Sequence, residues 1–105
     1  MKNVLISIVI GLGMWSHANA FEGDAAAGKT KAATCAGCHG ANGIGIMGSY
    51  PNIAGQHAAY IVKQLKAFKS GERKDPVMAP MAAALSEQDM QDVAAYYAGF
   101  GRDGS

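Results

Sequence analysis

The chain has 105 residues, half of them hydrophobic, and it carries nine Lys and Arg against eight Asp and Glu, for a formal net charge of +1. This near-zero charge gives no support for a nucleic-acid-binding protein. The length fits one small domain, whose apolar core is marginal unless a disulfide, a metal or a cofactor stabilises it.

The N-terminal segment has the layout of a secretory signal peptide. A positively charged start is followed by an apolar run over residues 4–15, and Ala18 and Ala20 supply the small residues that a signal peptidase requires. The apolar run is shorter than the roughly 20 residues that span a membrane. We therefore predict a cleaved signal peptide over residues 1–20, export to the periplasm and one mature domain over residues 21–105. An uncleaved N-terminal anchor is the alternative.

The elements predicted for the mature part are all helical, because no stretch alternates apolar and polar residues as a strand does. A first helix is predicted from Asp24, a favoured N-cap residue, through an Ala-rich run to about Ala33. Gly28 lies inside this helix at a cost of about 1 kcal/mol relative to Ala, which indicates a close crossing by another helix. Residues 37–55 are rich in Gly and are predicted to form a long loop.

A second helix is predicted where apolar residues recur at helical spacing from Ala58 to Phe68, ending near Gly71. Three lysines are predicted to point away from this stripe: Lys63, Lys66 and Lys69. Basic residues thus cluster in the middle of the chain, whereas acidic residues cluster near its end at Glu87 and Asp92. This segregation predicts a charge dipole that could orient a docking partner.

Residues 72–79 are predicted to form a second loop, because an aspartate and the surrounding prolines disfavour a regular helix there. A short turn is predicted over residues 81–85. A last helix is predicted from a capping box at Ser86 and Asp89 to about Gly99. Its buried face is predicted to hold four residues: Met90, Val93, Ala94 and Tyr97.

The strongest chemical signal is the run Cys35-Ala36-Gly37-Cys38-His39, which has the C-x-x-C-H spacing of c-type haem attachment. Two thiols at this spacing can each add to a vinyl group of haem while the adjacent His reaches its iron. A plain disulfide, a thiol redox pair and half of a zinc site are the alternatives. A redox pair is expected near a βαβ pattern, and structural zinc needs four ligands.

The second axial ligand of such a haem is expected to be a methionine, because a thioether opposite His raises the reduction potential. Met47 lies close to the attachment run, and Met90 lies on a predicted buried stripe where a packing role is expected. Met78 and Met81 both stand far enough downstream for the chain to wrap the haem and reach its other face. Spacing alone leaves these two open.

Three motifs together resemble the class I cytochromes c: the run Cys35–His39, the loop Pro51–Gln56, and Met78-Ala79-Pro80-Met81 ahead of the last helix. The sequence is similar to small c553- and c5-like proteins and to the single-haem halves of dihaem cytochrome c4. This resemblance implies an all-α cytochrome c fold, with helices wrapped around one covalently bound haem c.

Residue by residue, the resemblance implies haem attachment through Cys35 and Cys38 and an axial bond from His39. It assigns the second axial bond to Met78. Related sequences often hold another aliphatic residue at the position of Met81, which makes Met81 the alternative.

The resemblance also implies that the Pro51 carbonyl accepts a hydrogen bond from His39, which fits the general need to orient a ligating imidazole. It places Gly28 where the first helix crosses the last, against Tyr96 or Tyr97. Three polar residues could reach a haem propionate, although a surface role is the simpler interpretation for each: Gln56, Tyr60 and Lys63.

These features predict a periplasmic one-electron carrier that works between protein redox partners of a respiratory chain, namely donor and acceptor cytochromes or oxidoreductases. We expect an electron-transfer protein rather than an enzyme, with no nucleic-acid partner and no stable membrane insertion after signal cleavage. One alternative is an enzyme or gas sensor with an open iron site. Another is a fixed subunit of a larger oxidase or dehydrogenase.

Overall fold

The fold is described from a computed structural model, in which the described residues are Gly11 and 22–105. Five helices and no strand occur in this part of the chain: α1 Ala25–Lys31, α2 Ala33–His39, α3 Ala58–Ser70, α4 Met78–Ala83 and α5 Glu87–Ala98. The predicted all-α fold class is confirmed. The predicted signal peptide lies, apart from Gly11, outside the described residues. None of the described helices is both long and apolar enough to cross a membrane.

The boundary between α2 and the following loop differs from the prediction. The loop was predicted to begin at Gly37, but α2 continues to His39 and the loop begins at Gly40. Only Ala32 separates α1 from α2, and its N–H still donates to the Gly28 carbonyl at 2.7 Å. Helical hydrogen bonds therefore continue from α1 into α2. The whole run from Cys35 to His39 lies within α2.

The predicted amphipathic helices are confirmed as α3 and α5. α3 ends at Gly71, which adopts the left-handed conformation with φ 83°, and α5 begins with a capping box formed by Ser86 and Asp89. α3 packs against α4 and α5, and α1 packs against α5. The buried residues of α3 and α5 form most of the hydrophobic core: Ile61, Val62, Leu65, Phe68, Met90, Val93, Ala94 and Tyr97.

The start of α4 corrects the predicted second loop. Residues 72–79 were predicted to be irregular, but the helix already begins at Met78. The Asp75 side chain accepts hydrogen bonds from the N–H groups of Val77 and Met78, at 2.9 and 2.8 Å, so it caps this short helix. Pro80 is tolerated because it lies in the first turn, where the backbone N–H groups have no partner inside the helix.

α1 crosses α5 at Gly28, and the contact is with the backbone of Asp92 and with Tyr96. A Cβ atom at Gly28 would lie 1.9 Å from the Asp92 carbonyl oxygen and 2.9 Å from Tyr96 Cβ. The buried Asp92 carboxylate accepts hydrogen bonds from the Asp24 N–H at 2.9 Å and from Lys31 Nζ at 2.6 Å. Both ends of α1 are therefore tied to α5.

The fold brings together charges that are segregated along the sequence. Lys66 pairs with Glu87 at 2.8 Å, and Lys31 pairs with Asp92 at 2.6 Å. Lys69 Nζ donates to the Leu85 carbonyl at 2.5 Å. Of the basic residues in the middle of the chain, Lys66 is thus paired with an acidic residue near its end; the predicted charge dipole stays a prediction. The exposed Lys66–Glu87 pair contributes little to stability, whereas the Asp92 carboxylate of the other pair is buried.

The α1–α5 crossing predicts a large cost for a small substitution. Gly28→Ala should lower the free energy of unfolding by about 1–3 kcal/mol, because the added methyl group meets backbone atoms that must move. The measurement is denaturant unfolding of the purified protein. Gly37→Ala is the matched control, since a Cβ there meets nothing within 4 Å; it should be neutral or stabilising by up to about 1 kcal/mol. Equal stability losses in the two variants would contradict the prediction.

The buried carboxylate predicts a specific acid sensitivity. The hydrogen bond from the Asp24 N–H, followed by those from Lys31 and Gln88, lowers the pKa of Asp92 from 3.8 to about 2. A lowered pKa gives stability that is present above the unfolded-state pKa and is lost as the pH falls through the folded-state pKa. Asp92→Asn should therefore be less stable at neutral pH, and it should lose less stability than the wild type between about pH 4 and about pH 2.

Denaturant midpoints at neutral pH and at both acidic values test this expectation. Glu72→Gln, which removes an exposed acid after α3, is the control and should keep the wild-type profile. If Asp92→Asn lost as much stability as the wild type over the acidic range, another carboxylate would be responsible for the acid sensitivity.

Candidate functional site

α2 presents three chemically reactive side chains on one helical face. Cys35, Cys38 and His39 are spaced by three and four residues, so their side chains lie close together on the helix surface. Both cysteines are half-buried and unpaired, and burial raises the pKa of the Cys35 thiol. His39 is buried, with 9% of its surface exposed. The predicted attachment run is thus one compact group of two thiols and an imidazole.

The imidazole of His39 is held in one orientation by a backbone carbonyl. Its Nδ1 lies 2.8 Å from the Pro51 carbonyl oxygen. A carbonyl oxygen can only accept a hydrogen bond, so Nδ1 carries the proton and donates it. The lone pair of the neutral ring then lies on Nε2, which is the state needed to bind a metal ion.

The segment that carries Pro51 is fixed by the Gly-rich loop. The Gly43 carbonyl accepts a hydrogen bond from the Ala54 N–H at 3.0 Å, and the Asn52 side chain accepts one from the Gly45 N–H at 2.8 Å. Gly43 has φ 79°, and a Cβ there would lie 2.6 Å from the Ala54 nitrogen. A side chain at this position would therefore displace the segment that orients His39.

Two tyrosines of α5 hold the chain just beyond His39, a role that the sequence analysis missed. The Tyr97 hydroxyl donates to the Gly40 carbonyl at 3.2 Å, and the Tyr96 hydroxyl donates to the Ala41 carbonyl. Burial raises the pKa of Tyr97, which keeps its hydroxyl protonated. Helical spacing predicted that Tyr97 is buried, but no local pattern indicates which carbonyl its hydroxyl reaches.

Two adjoining clefts open beside this face of α2. Their volumes are about 230 and 250 Å³. Apolar side chains of the core also line the second cleft, among them Ile61, Leu65 and Val93. Six residues line both clefts: Cys35, His39, Pro51, Phe68, Arg73 and Met78. The thiols and the imidazole therefore border a largely apolar space.

The four methionines of the described residues have different surroundings. Met78 is half-buried, packs against the hydrophobic core and lines both clefts together with His39. Met81 lines the first cleft only. Met47 is 59% exposed, whereas Met90 is 2% exposed inside the core.

The polar residues around the clefts differ in part from the expected set. Gln56 and Tyr60 line the second cleft. Lys63 lines neither and instead borders a separate groove on the outer side of α3. Arg73, which the sequence analysis did not single out, lines both clefts.

The site has the chemical features that a covalently bound haem needs. Two thiols are available for thioether bonds, an imidazole oriented by the Pro51 carbonyl can bind iron through Nε2, and a methionine thioether lines the same space. The apolar lining suits a large flat macrocycle. In the described part of the chain, no group of three or more His, Cys, Asp or Glu side chains is arranged to hold a metal ion by itself.

Comparison with known proteins agrees with this chemistry. The family model for cytochrome c matches residues 25–98. Cytochrome c-554(548) of Halomonas halodenitrificans is 49% identical over 78 residues, which cover 71% of this chain and 94% of that protein. A thiosulfate dehydrogenase electron acceptor of Stutzerimonas stutzeri is 49% identical over 65 residues, which cover 61% of this chain and 30% of that protein.

A solved structure supports the same relationship. The reduced recombinant cytochrome c4 from Pseudomonas stutzeri superposes with a TM-score of 0.71 at 39% sequence identity. The match covers 75% of this chain and 46% of that chain. The protein therefore spans about half the length of its cytochrome c4 relative and nearly the whole length of cytochrome c-554(548).

The chain belongs to the cytochrome c family. Its cofactor is one covalently bound haem c, and it is an electron-transfer protein. The predicted cytochrome c fold and its resemblance to the class I proteins are confirmed.

The tyrosine contacts of α5 predict a measurable effect at a distance from the iron. Tyr97→Phe should lower the free energy of unfolding by about 0.5–1.5 kcal/mol, because the buried Gly40 carbonyl loses its hydroxyl donor. Thermal or denaturant unfolding of the haem-loaded protein measures this change. Tyr60→Phe, at a residue that is 47% exposed, should leave stability unchanged. A neutral Tyr97→Phe would contradict the assigned role.

Proposed function

We propose that this protein is a periplasmic one-electron carrier whose haem iron is bound by His39 and Met78. The observation that carries the proposal is the position of Met78, which lines both clefts beside an imidazole whose Nε2 is left for iron. Bound haem supplies an iron that can gain and lose one electron. His39 and Met78 would remain its axial ligands in both oxidation states.

Covalent attachment through Cys35 and Cys38 follows from the cysteine content. The chain contains only these two cysteines, so two thioether bonds to one haem leave no other choice of residues. Their spacing on α2 turns both thiols toward the face that also carries His39. The helix therefore positions both attachment points and one axial ligand as a unit.

The orientation of His39 suits fast electron transfer. Its Nδ1 proton is donated to the Pro51 carbonyl, so the ring cannot rotate without breaking that hydrogen bond. The Gly-rich loop and the tyrosines of α5 fix both ends of this contact. A ligand held in this way moves little when the oxidation state changes, which favours electron transfer over ligand exchange.

Met78 is favoured over Met81 for the other axial position. Met78 lies at the first residue of α4, where two backbone hydrogen bonds from the Asp75 side chain fix the start of the helix. It also packs against the hydrophobic core. Met81 lies one turn further along α4, lines only one cleft and is not among the residues packed against the core.

The periplasmic location is proposed from the N-terminal sequence, whose apolar run and small residues fit a signal peptide cleaved after Ala20. The mature domain would then be residues 21–105. Covalent haem attachment through two thiols also fits an exported protein.

The partners are proposed to be proteins of a respiratory chain. One relative is named as an electron acceptor of thiosulfate dehydrogenase, which supports an oxidoreductase as electron donor and a further redox protein as acceptor. Because the match spans 30% of that relative, the substrate of the donor enzyme is left open.

Replacing each candidate methionine tests the ligand assignment. Met78→Ala should abolish the weak near-infrared band that arises from sulfur-to-iron charge transfer, lower the reduction potential and open the reduced iron to carbon monoxide. Met81→Ala, which removes the same side chain one helical turn away, is the matched control and should keep the band.

The converse pattern, with the band lost only in Met81→Ala, would overturn the assignment to Met78. Retention of the band in both variants would exclude both residues. Carbon monoxide binding to the reduced wild-type protein would indicate an open iron site and would favour an enzyme or gas sensor over an electron carrier.

A further inference from the structure

Arg73 occupies a position at the haem clefts that no other cation shares. Among the described Lys and Arg side chains, it alone lines either cleft, and it lines both. Lys63, for which the sequence analysis preferred a surface role over a propionate contact, borders a separate groove. A positive charge at this place can act directly on the cofactor.

The main chain brings Arg73 back toward α3. Gly71 ends the helix in the left-handed conformation, and the Arg73 N–H then donates to the Ala67 carbonyl at 3.0 Å. This reversal returns the side chain over the helix that precedes it. The sequence does not predict this reversal, because a glycine that ends a helix does not determine the direction of the residues that follow it.

Two side-chain contacts hold the guanidinium group in place. Its Nη1 donates to Gln64 Oε1 at 2.7 Å, and its Cζ lies 4.5 Å from the centre of the Phe68 ring. Phe68 belongs to the buried core and lines both clefts. A guanidinium group has five N–H donors in a planar fork, so most of them are available for a carboxylate in addition to the Gln64 contact.

We propose that Arg73 binds a propionate carboxylate of the haem and thereby raises the reduction potential of the iron. This inference rests on the proposed His/Met electron carrier. Haem carries propionates as its only acidic groups, and an arginine fork matches a carboxylate through two parallel hydrogen bonds.

Asp75 is the one acidic residue of the described chain that lines these clefts. No Asp or Glu lines the second cleft. Asp75 lines the first cleft; hydrogen bonds from the N–H groups of Met78 and Val77, and to a smaller extent the charge of Arg73, lower its pKa, but the two side chains form no ion pair. The described part of the chain therefore offers no ion pair for Arg73 in the clefts.

The sign of the effect follows from charge. Oxidation adds one positive charge to the haem, and a nearby guanidinium group makes that addition less favourable. Pairing with Arg73 also neutralises a propionate that would otherwise stabilise the oxidised iron. Both effects favour the reduced state, so removing the guanidinium charge should lower the reduction potential.

The test compares three variants by spectroelectrochemical titration of the purified haem-loaded protein, without any partner present. Arg73→Gln should lower the midpoint potential, and Arg73→Lys, which keeps the charge but lacks the planar fork, should lower it less. Lys74→Gln removes the same charge from the adjacent exposed residue, which lines neither cleft, and should leave the potential unchanged. Resonance Raman spectra should show altered propionate bending modes only in the Arg73 variants.

Each other outcome overturns the inference. An unchanged potential in Arg73→Gln would assign Arg73 to a surface or partner-binding role. An equal shift in Lys74→Gln would indicate a general effect of net charge, and a shift in Arg73→Lys as large as that in Arg73→Gln would contradict the assigned role of the positive charge. The near-infrared sulfur band is recorded on the same samples. If the band is present, the iron keeps its methionine ligand and the potentials test Arg73 alone; if the wild type lacks it, the proposed His/Met ligation fails.

Discussion

The close crossing of α1 and α5 at Gly28 is the contact on which the geometry of the haem site depends. Because Gly28 has no side chain, the backbone of Asp92 can approach α1 directly, and the buried Asp92 carboxylate ties Asp24 and Lys31 to α5. α5 is thereby fixed against the segment that leads into α2. Its tyrosine hydroxyls can then reach the carbonyls that follow His39.

The hydrophobic core and the haem clefts share the same side chains. Leu65, Phe68, Val93 and Tyr97 belong to the core and also line the second cleft. A domain this small buries little apolar surface by itself, and a bound haem would add a large apolar body to that core. Stability and cofactor binding are therefore coupled, because the residues that pack the domain are those that surround the haem.

The sequence predicted the features that depend on neighbouring residues. The caps at Asp24 and Ser86, the buried stripes of α3 and α5 and the C-x-x-C-H run each lie within one or two helical turns, where spacing carries the information. Features that depend on distant contacts were not predicted. The return of Arg73 over α3 and the pairing of Lys66 with Glu87 depend on how separate elements pack. The early start of α4 rests on a local contact of the Asp75 side chain that the prediction overlooked. Spacing left Met78 and Met81 open, and the clefts and the packing against the core distinguish their surroundings.

The absorption spectrum of the purified wild-type protein, recorded from the visible to the near infrared before and after acid extraction of haem, tests the central claim most directly. We expect haem that stays with the polypeptide after extraction, a low-spin spectrum in both oxidation states and a sulfur-to-iron band in the oxidised protein. Haem that is extracted by acid would contradict attachment through Cys35 and Cys38. Retained haem without the sulfur band would contradict the axial bond from Met78.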